Sequence, residues 1–223
     1  MRVMTAGDSQ AFAAAHPPIP RKDLPPYIDS VIDAGVLGSG VLVRAPGWTM
    51  IDPDRGGRVS GEYCIDSAEA AEILALKSKP DWMVLFSGAF ERPFDYEAPD
   101  GKVYPARSQT IRDGVVEQLT FRVERARAAG VRTALVEWSC SSLEIGDAEA
   151  AEWTRWHNTI LREVAASIPG TITIPPSDAV CVDGDPAGSP TPAKDKAWGH
   201  EVHPVDLVWL WSVQLGPTLL AKR

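Results

Sequence analysis

Five consecutive apolar residues, Trp82–Phe86 (WMVLF), constrain this chain more than any other stretch. A strand without a polar face must be covered on both sides, and that happens in a parallel sheet with helices packed above and below. Pro80-Asp81 stands before the run and Ser87-Gly88-Ala89 after it, which bounds it at strand length.

The rest of the chain supplies partners in alternation. Met1, Val3 and Met4 lead through Gly7-Asp8-Ser9 into a small-residue helical pattern, Gln10–Ala15. Pro17–Pro26 (PPIPRKDLPP) is too proline-dense for a helix interior and is expected as a surface loop. A second strand is expected within Ser30–Leu37, ending in Gly38-Ser39-Gly40 and followed by a loop-like Arg44–Tyr63. Asp66–Ser78 has helical apolar spacing, with Asp66 or Ser67 placed to cap it. Glu91–Ala106 reads as an aromatic, proline-bearing loop, and Ser108–Ala129 as a long helix stopped by Gly130. Val131–Trp138 and Gly170–Ile174 read as strands separated by a helix over Asp147–Ser167. Ser177–Trp198 is a long Gly/Pro/Asp-rich loop of the kind that carries function, and Pro204–Leu220 closes the chain as a helix. This alternation predicts a single domain, 1–223, with a five-stranded parallel sheet in a three-layer α/β/α sandwich.

The net charge of −8 comes with no basic run to neutralise phosphates. Neither nucleic acid nor an anionic membrane surface is therefore an expected partner. Val205–Leu215, the most apolar long stretch, is broken by Asp206, Ser212 and Gln214 and falls short of a bilayer span. The N-terminus lacks the charged start and long apolar centre of a signal peptide, so the chain as written is expected in the cytoplasm. Cys64, Cys140 and Cys181 form neither a disulfide framework nor a metal-ligand spacing. Reduced, buried thiols are the expectation, with a Cys140–Cys181 disulfide left open in an oxidising compartment because each follows a strand at the same sheet edge.

Ligands of open parallel sheets bind beyond the carboxyl ends of the strands, where strand order reverses. Ser9, Gly38-Ser39-Gly40, Gly88 and Ser139 all fall at such ends. Ser9, on a strand–turn–helix, is the candidate nucleophile. A serine hydroxyl needs an adjacent base and donors for the oxyanion, and His203, just before the last helix, is the candidate base. Ser139 is an alternative nucleophile without a motif. Asp8 is expected to brace the turn through backbone N–H groups. Gly88, Phe90 and Trp198 are the candidate substrate contacts, with Glu91 and Tyr96 as further pocket residues and Trp209 and Trp211 as helix packing. There is no G-x-G-x-x-G after the first strand and no Walker A sequence, and neither a cofactor nor a metal is expected.

These blocks resemble the SGNH (GDSL-like) hydrolase superfamily over nearly the whole chain, most closely the SGNH-type domains associated with bacterial membrane O-acyltransferases. Val3–Ala11 resembles the first block, which implies Ser9 as nucleophile with its own N–H as one oxyanion donor. Leu37–Gly40 resembles the second, which implies a glycine N–H as another donor, from Gly38 or Gly40. Pro80–Gly88 resembles the third strand and block, and His203 falls on the catalytic histidine. Cys140 and Cys181 match positions where the acyltransferase-linked group often carries cysteines. The resemblance implies flavodoxin-like strand order and an acyl-enzyme on Ser9. Its acyl group would pass to water, as in an esterase, or to an alcohol, as in an O-acyltransferase, from an acylated small molecule or glycan. It also implies an extracytoplasmic site if the chain belongs to a longer membrane acyltransferase.

Two positions depart from the pattern. Gly88-Ala89-Phe90 stands where the superfamily usually has Gly-x-Asn, so a side-chain oxyanion donor is missing, as it often is in the acyltransferase-linked group. His200 stands three residues before His203, where an aspartate is usual. Glu201 is the candidate for that missing charge, with Asp195 or a backbone carbonyl as the alternatives. The rival expectation is a catalytically impaired relative that binds a glycan or partner in the same cleft.

Overall fold

In the computed structural model, residues 1–37, 40–52, 57–60, 62–87, 94–138, 148–175 and 207–222 are described. Along the chain run β1 (Arg2–Gly7), α1 (Ser9–Ala15), β2 (Ser30–Gly35), β3 (Thr49–Asp52), β4 (Gly57–Ser60), α2 (Glu62–Lys77) and β5 (Trp82–Phe86). They are followed by β6 (Asp95–Glu97), β7 (Val103–Tyr104), α3 (Gln109–Ala128), β8 (Arg132–Val136), α4 (Ala148–Ser167) and β9 (Thr171–Ile174). The chain then turns helical again as α5 (Leu207–Trp209), a π-helical stretch Leu210–Leu215 and α6 (Gly216–Ala221).

Five strands form one all-parallel sheet in the order β2-β1-β5-β8-β9, with helices on both faces. This is the expected three-layer α/β/α sandwich in flavodoxin-like order. All five side chains of β5 are buried, and their alternation divides the core. Met83 and Leu85, with Met4, Ala6 and Leu135, pack under α2, α3 and α4. Trp82, Val84 and Phe86, with Val3 and Val136, pack under α1 and the C-terminal helices. Each large side chain so buried stabilises the sheet by roughly 1.5–3 kcal/mol, which is why a strand with no polar face sits near the middle. The predicted α3 stripe, Ile111, Val115, Leu119 and Val123, is buried, and Ser108 caps that helix. Trp211, expected as helix packing, is fully buried and donates its indole N–H to the Ala14 carbonyl at 2.9 Å, tying the C-terminal segment to α1.

A buried ion cluster joins α2 to α3. The Glu72 carboxylate accepts from Arg122 Nε at 2.8 Å, bonds Arg125 as well, and lies 3.6 Å from Arg44. Burial alone pushes the Glu72 carboxyl up; the Arg122 and Arg44 charges, the Arg122 hydrogen bond and the Arg125 charge outweigh it and hold the group below its ordinary range.

Three expectations are corrected. Arg44–Tyr63 and Glu91–Ala106, expected as loops, contribute a second sheet, antiparallel in the order β4-β3-β6-β7. Tyr96, expected to line a pocket, is completely buried in it, packed edge-on against Trp48 at 6.2 Å between ring centroids. The α2 helix starts at Glu62, so Asp66 and Ser67 lie within it, past its first turn.

Candidate functional site at the β1–β5 crevice

The chain leaves β1 for β2 on one side and later crosses back to β5 on the other, so strand order reverses between β1 and β5. The carboxyl ends of these two strands border the crevice where ligands of such sheets bind. Gly7 ends β1, paired in register with Gly35 of β2 and Phe86 of β5. Its φ of +127° belongs to the region that favours glycine, and a Cβ there would lie 2.0 Å from the Phe86 carbonyl oxygen. Glycine is thus required both by the turn and by the approach of β5.

Asp8 follows as the N-cap of α1, buried, with Oδ1 accepting from Gln10 N at 2.9 Å. This is the bracing role expected for it. Ser9 is then the first residue of α1 and half-buried. A Cβ on Gly35 would lie 2.1 Å from Phe12 N, so α1 lies backbone to backbone against β2 and its first residue is held at the sheet edge. Gly40 is buried, two residues before Leu42 in the core.

The β5 side of the crevice carries a pair that the sequence did not single out. Ser87, first after β5, has its Oγ 3.1 Å from His157 Nε2 on α4, and both residues are buried. The next residue, Asn158, accepts from Trp138 N at 2.7 Å and donates to Trp138 O at 3.1 Å, clamping the chain just beyond β8. One turn further, Arg162 forks onto the buried Glu137 carboxylate at 3.0 and 2.6 Å. That hydrogen bond pushes the guanidinium up, against the opposing effect of burial. A signal was present: Thr154, His157, Asn158, Leu161 and Val164 fall at helical spacing, which puts three polar residues on the buried stripe of α4.

Among the predicted site residues, Ser9 and Gly40 are described, and Ser9 stands at the crevice. His203, Glu201, Gly38, Gly88, Phe90 and Trp198 lie outside the described residues, as do Glu91, Ser139, Cys140, Cys181, Asp195 and His200. Three cavities have described walls: two, of about 270 and 480 Å³, lie along α2 and α3 and share Arg125, and one of about 220 Å³ lies beside Gly130 and Gly170; Ser9, Ser87 and His157 line none of them. Among the described residues no group of three or more His, Cys, Asp or Glu could hold a metal ion, and no helix is long and apolar enough to cross a membrane. No protein-family model matches the chain, and no curated protein matches it either.

Proposed function

We propose that this chain is a serine-dependent ester hydrolase or O-acyltransferase of the SGNH type, working through an acyl-enzyme on Ser9. The supporting observation is the position of Ser9, immediately beyond β1 at the point where strand order reverses. Ser9 Oγ bonds to the carbonyl carbon while its proton passes to His203 and the carbonyl pair moves onto oxygen. Collapse then breaks the bond to the leaving alcohol, which takes that proton. Water or a second alcohol, of a sugar for instance, repeats the sequence in reverse. Ser9 N–H and a glycine N–H from Gly38 or Gly40 complete the oxyanion contacts, with Glu201 orienting the histidine. The test is fluorophosphonate labelling together with p-nitrophenyl acetate hydrolysis. Wild type is expected to label on Ser9 and turn over, and Ser9→Ala to do neither. Equal rates in the two proteins would favour the alternative, a catalytically impaired domain binding a glycan or partner in the same crevice.

A further inference from the structure

We propose that the Ser87 hydroxyl is an oxyanion donor on the β5 side of the crevice, aimed by His157 as a positioning residue. The inference rests on the reading of Ser9 as nucleophile. Gly7 and Phe86 are register partners, so the turn carrying Ser9 and the residue Ser87 leave neighbouring strands at the same level. A carbonyl attacked by Ser9 in the crevice between those strands has Ser87 on its far flank.

A hydroxyl has one hydrogen to give and two lone pairs to accept with. Ser87 is 2% exposed, and among the described residues His157 Nε2 is its hydrogen-bond partner. With the imidazole hydrogen on Nε2, the ring donates to Ser87 Oγ and leaves the hydroxyl hydrogen for another acceptor. The developing oxyanion is that acceptor. Its charge appears only as Ser9 Oγ bonds to carbon, so the contact strengthens in the transition state and raises kcat more than it lowers KM. Burial excludes competing water and makes the contact stronger still. The aim of His157 is held by its neighbour, because Asn158 is clamped to both backbone groups of Trp138. Ser87 supplies, one residue ahead of Gly88-Ala89-Phe90, the side-chain donor which that tripeptide lacks. Ser87 keeps its hydrogen throughout; the Ser9 proton goes to His203.

The test compares wild type, Ser87→Ala, Ser87→Thr and His157→Gln by p-nitrophenyl acetate kinetics, Tm and mass-mapped fluorophosphonate labelling. Ser87→Ala is expected to lose roughly 10²–10³-fold in kcat with KM within about 3-fold of wild type. Ser87→Thr keeps the hydroxyl and is expected to return to within about 10-fold of wild type, with His157→Gln between the two. Wild-type kcat in Ser87→Ala, with Ser9 still labelled, overturns the donor role and leaves the Ser9 nucleophile standing. Equal losses in Ser87→Ala and Ser87→Thr also overturn it, since the hydroxyl would then not be the active group. A wild type with neither turnover nor label overturns the Ser9 reading, and this inference with it.

Discussion

Gly7 and Phe86 face each other at the carboxyl ends of β1 and β5 with no room for a side chain between their backbones. The position combines a φ of +127° with a Cβ site 2.0 Å from a carbonyl oxygen. Gly7→Ala is expected to add backbone strain of about 1–3 kcal/mol and overpacking of about 1–3 kcal/mol. For a chain of this size that lowers Tm by roughly 4–24 °C. Gly101→Ala is the control: its φ is +78° and nothing lies within 4 Å of the added Cβ, so strain acts alone. Thermal melts of the two variants should separate clearly, and an equal shift would refute the close approach.

The cap on α1 gives a smaller, graded effect. Asp8→Ala removes the acceptor for Gln10 N and is expected to cost roughly 0.5–2 kcal/mol, whereas Asp8→Asn keeps an acceptor and most of the stability. Urea midpoints measure the first effect. The rate of fluorophosphonate labelling at Ser9 should fall in Asp8→Ala as the turn loosens, and follow the same order.

Glu72 makes stability sensitive to acid. Its folded carboxyl titrates below its ordinary value of 4.5, so the stability it contributes is complete above that pH and is lost as pH falls through the lower folded value. Wild type is expected to lose stability progressively in that window. Glu72→Gln should be destabilised at neutral pH by about 3–5 kcal/mol, because Arg122 and Arg44 are left buried beside a neutral amide. Its stability should also vary less below 4.5 than that of wild type. Denaturant midpoints of both proteins across this pH range check the sign, and parallel curves would contradict it.

Asn158→Ala removes the two hydrogen bonds its side chain makes to Trp138 N and O and should cost roughly 1–3 kcal/mol. Amide exchange at Trp138 should accelerate at least in proportion to the loss in global stability. Unchanged protection at that amide would show that the clamp is not what holds the end of β8.

The parallel sheet was readable because its signals are local. WMVLF and VRTALVEW carry their burial in consecutive residues, and the Gly7 turn, the Asp8 cap and α1 follow one another directly. The antiparallel sheet was not readable, because its strands are only two to four residues long in Gly-, Pro- and Asp-rich sequence. It holds through the distant pairing of β3 with β6 and the burial of Tyr96 against Trp48. Asp66 and Ser67 looked like caps because propensity marks residues that can cap a helix, whereas α2 begins at Glu62.

At the crevice the same division holds. Sequence by itself determined where Ser9 stands, because strand, glycine, cap and helix are contiguous and each dictates the next. Only the tertiary structure decided which side chains meet just beyond β5. Ser87 and His157 are 70 residues apart, and they meet because strand order sets β5 beside β1 and the inward stripe of α4 covers the end of β5. No local spacing specifies that encounter, since it follows from the chain's crossover and from the packing of a helix on a sheet.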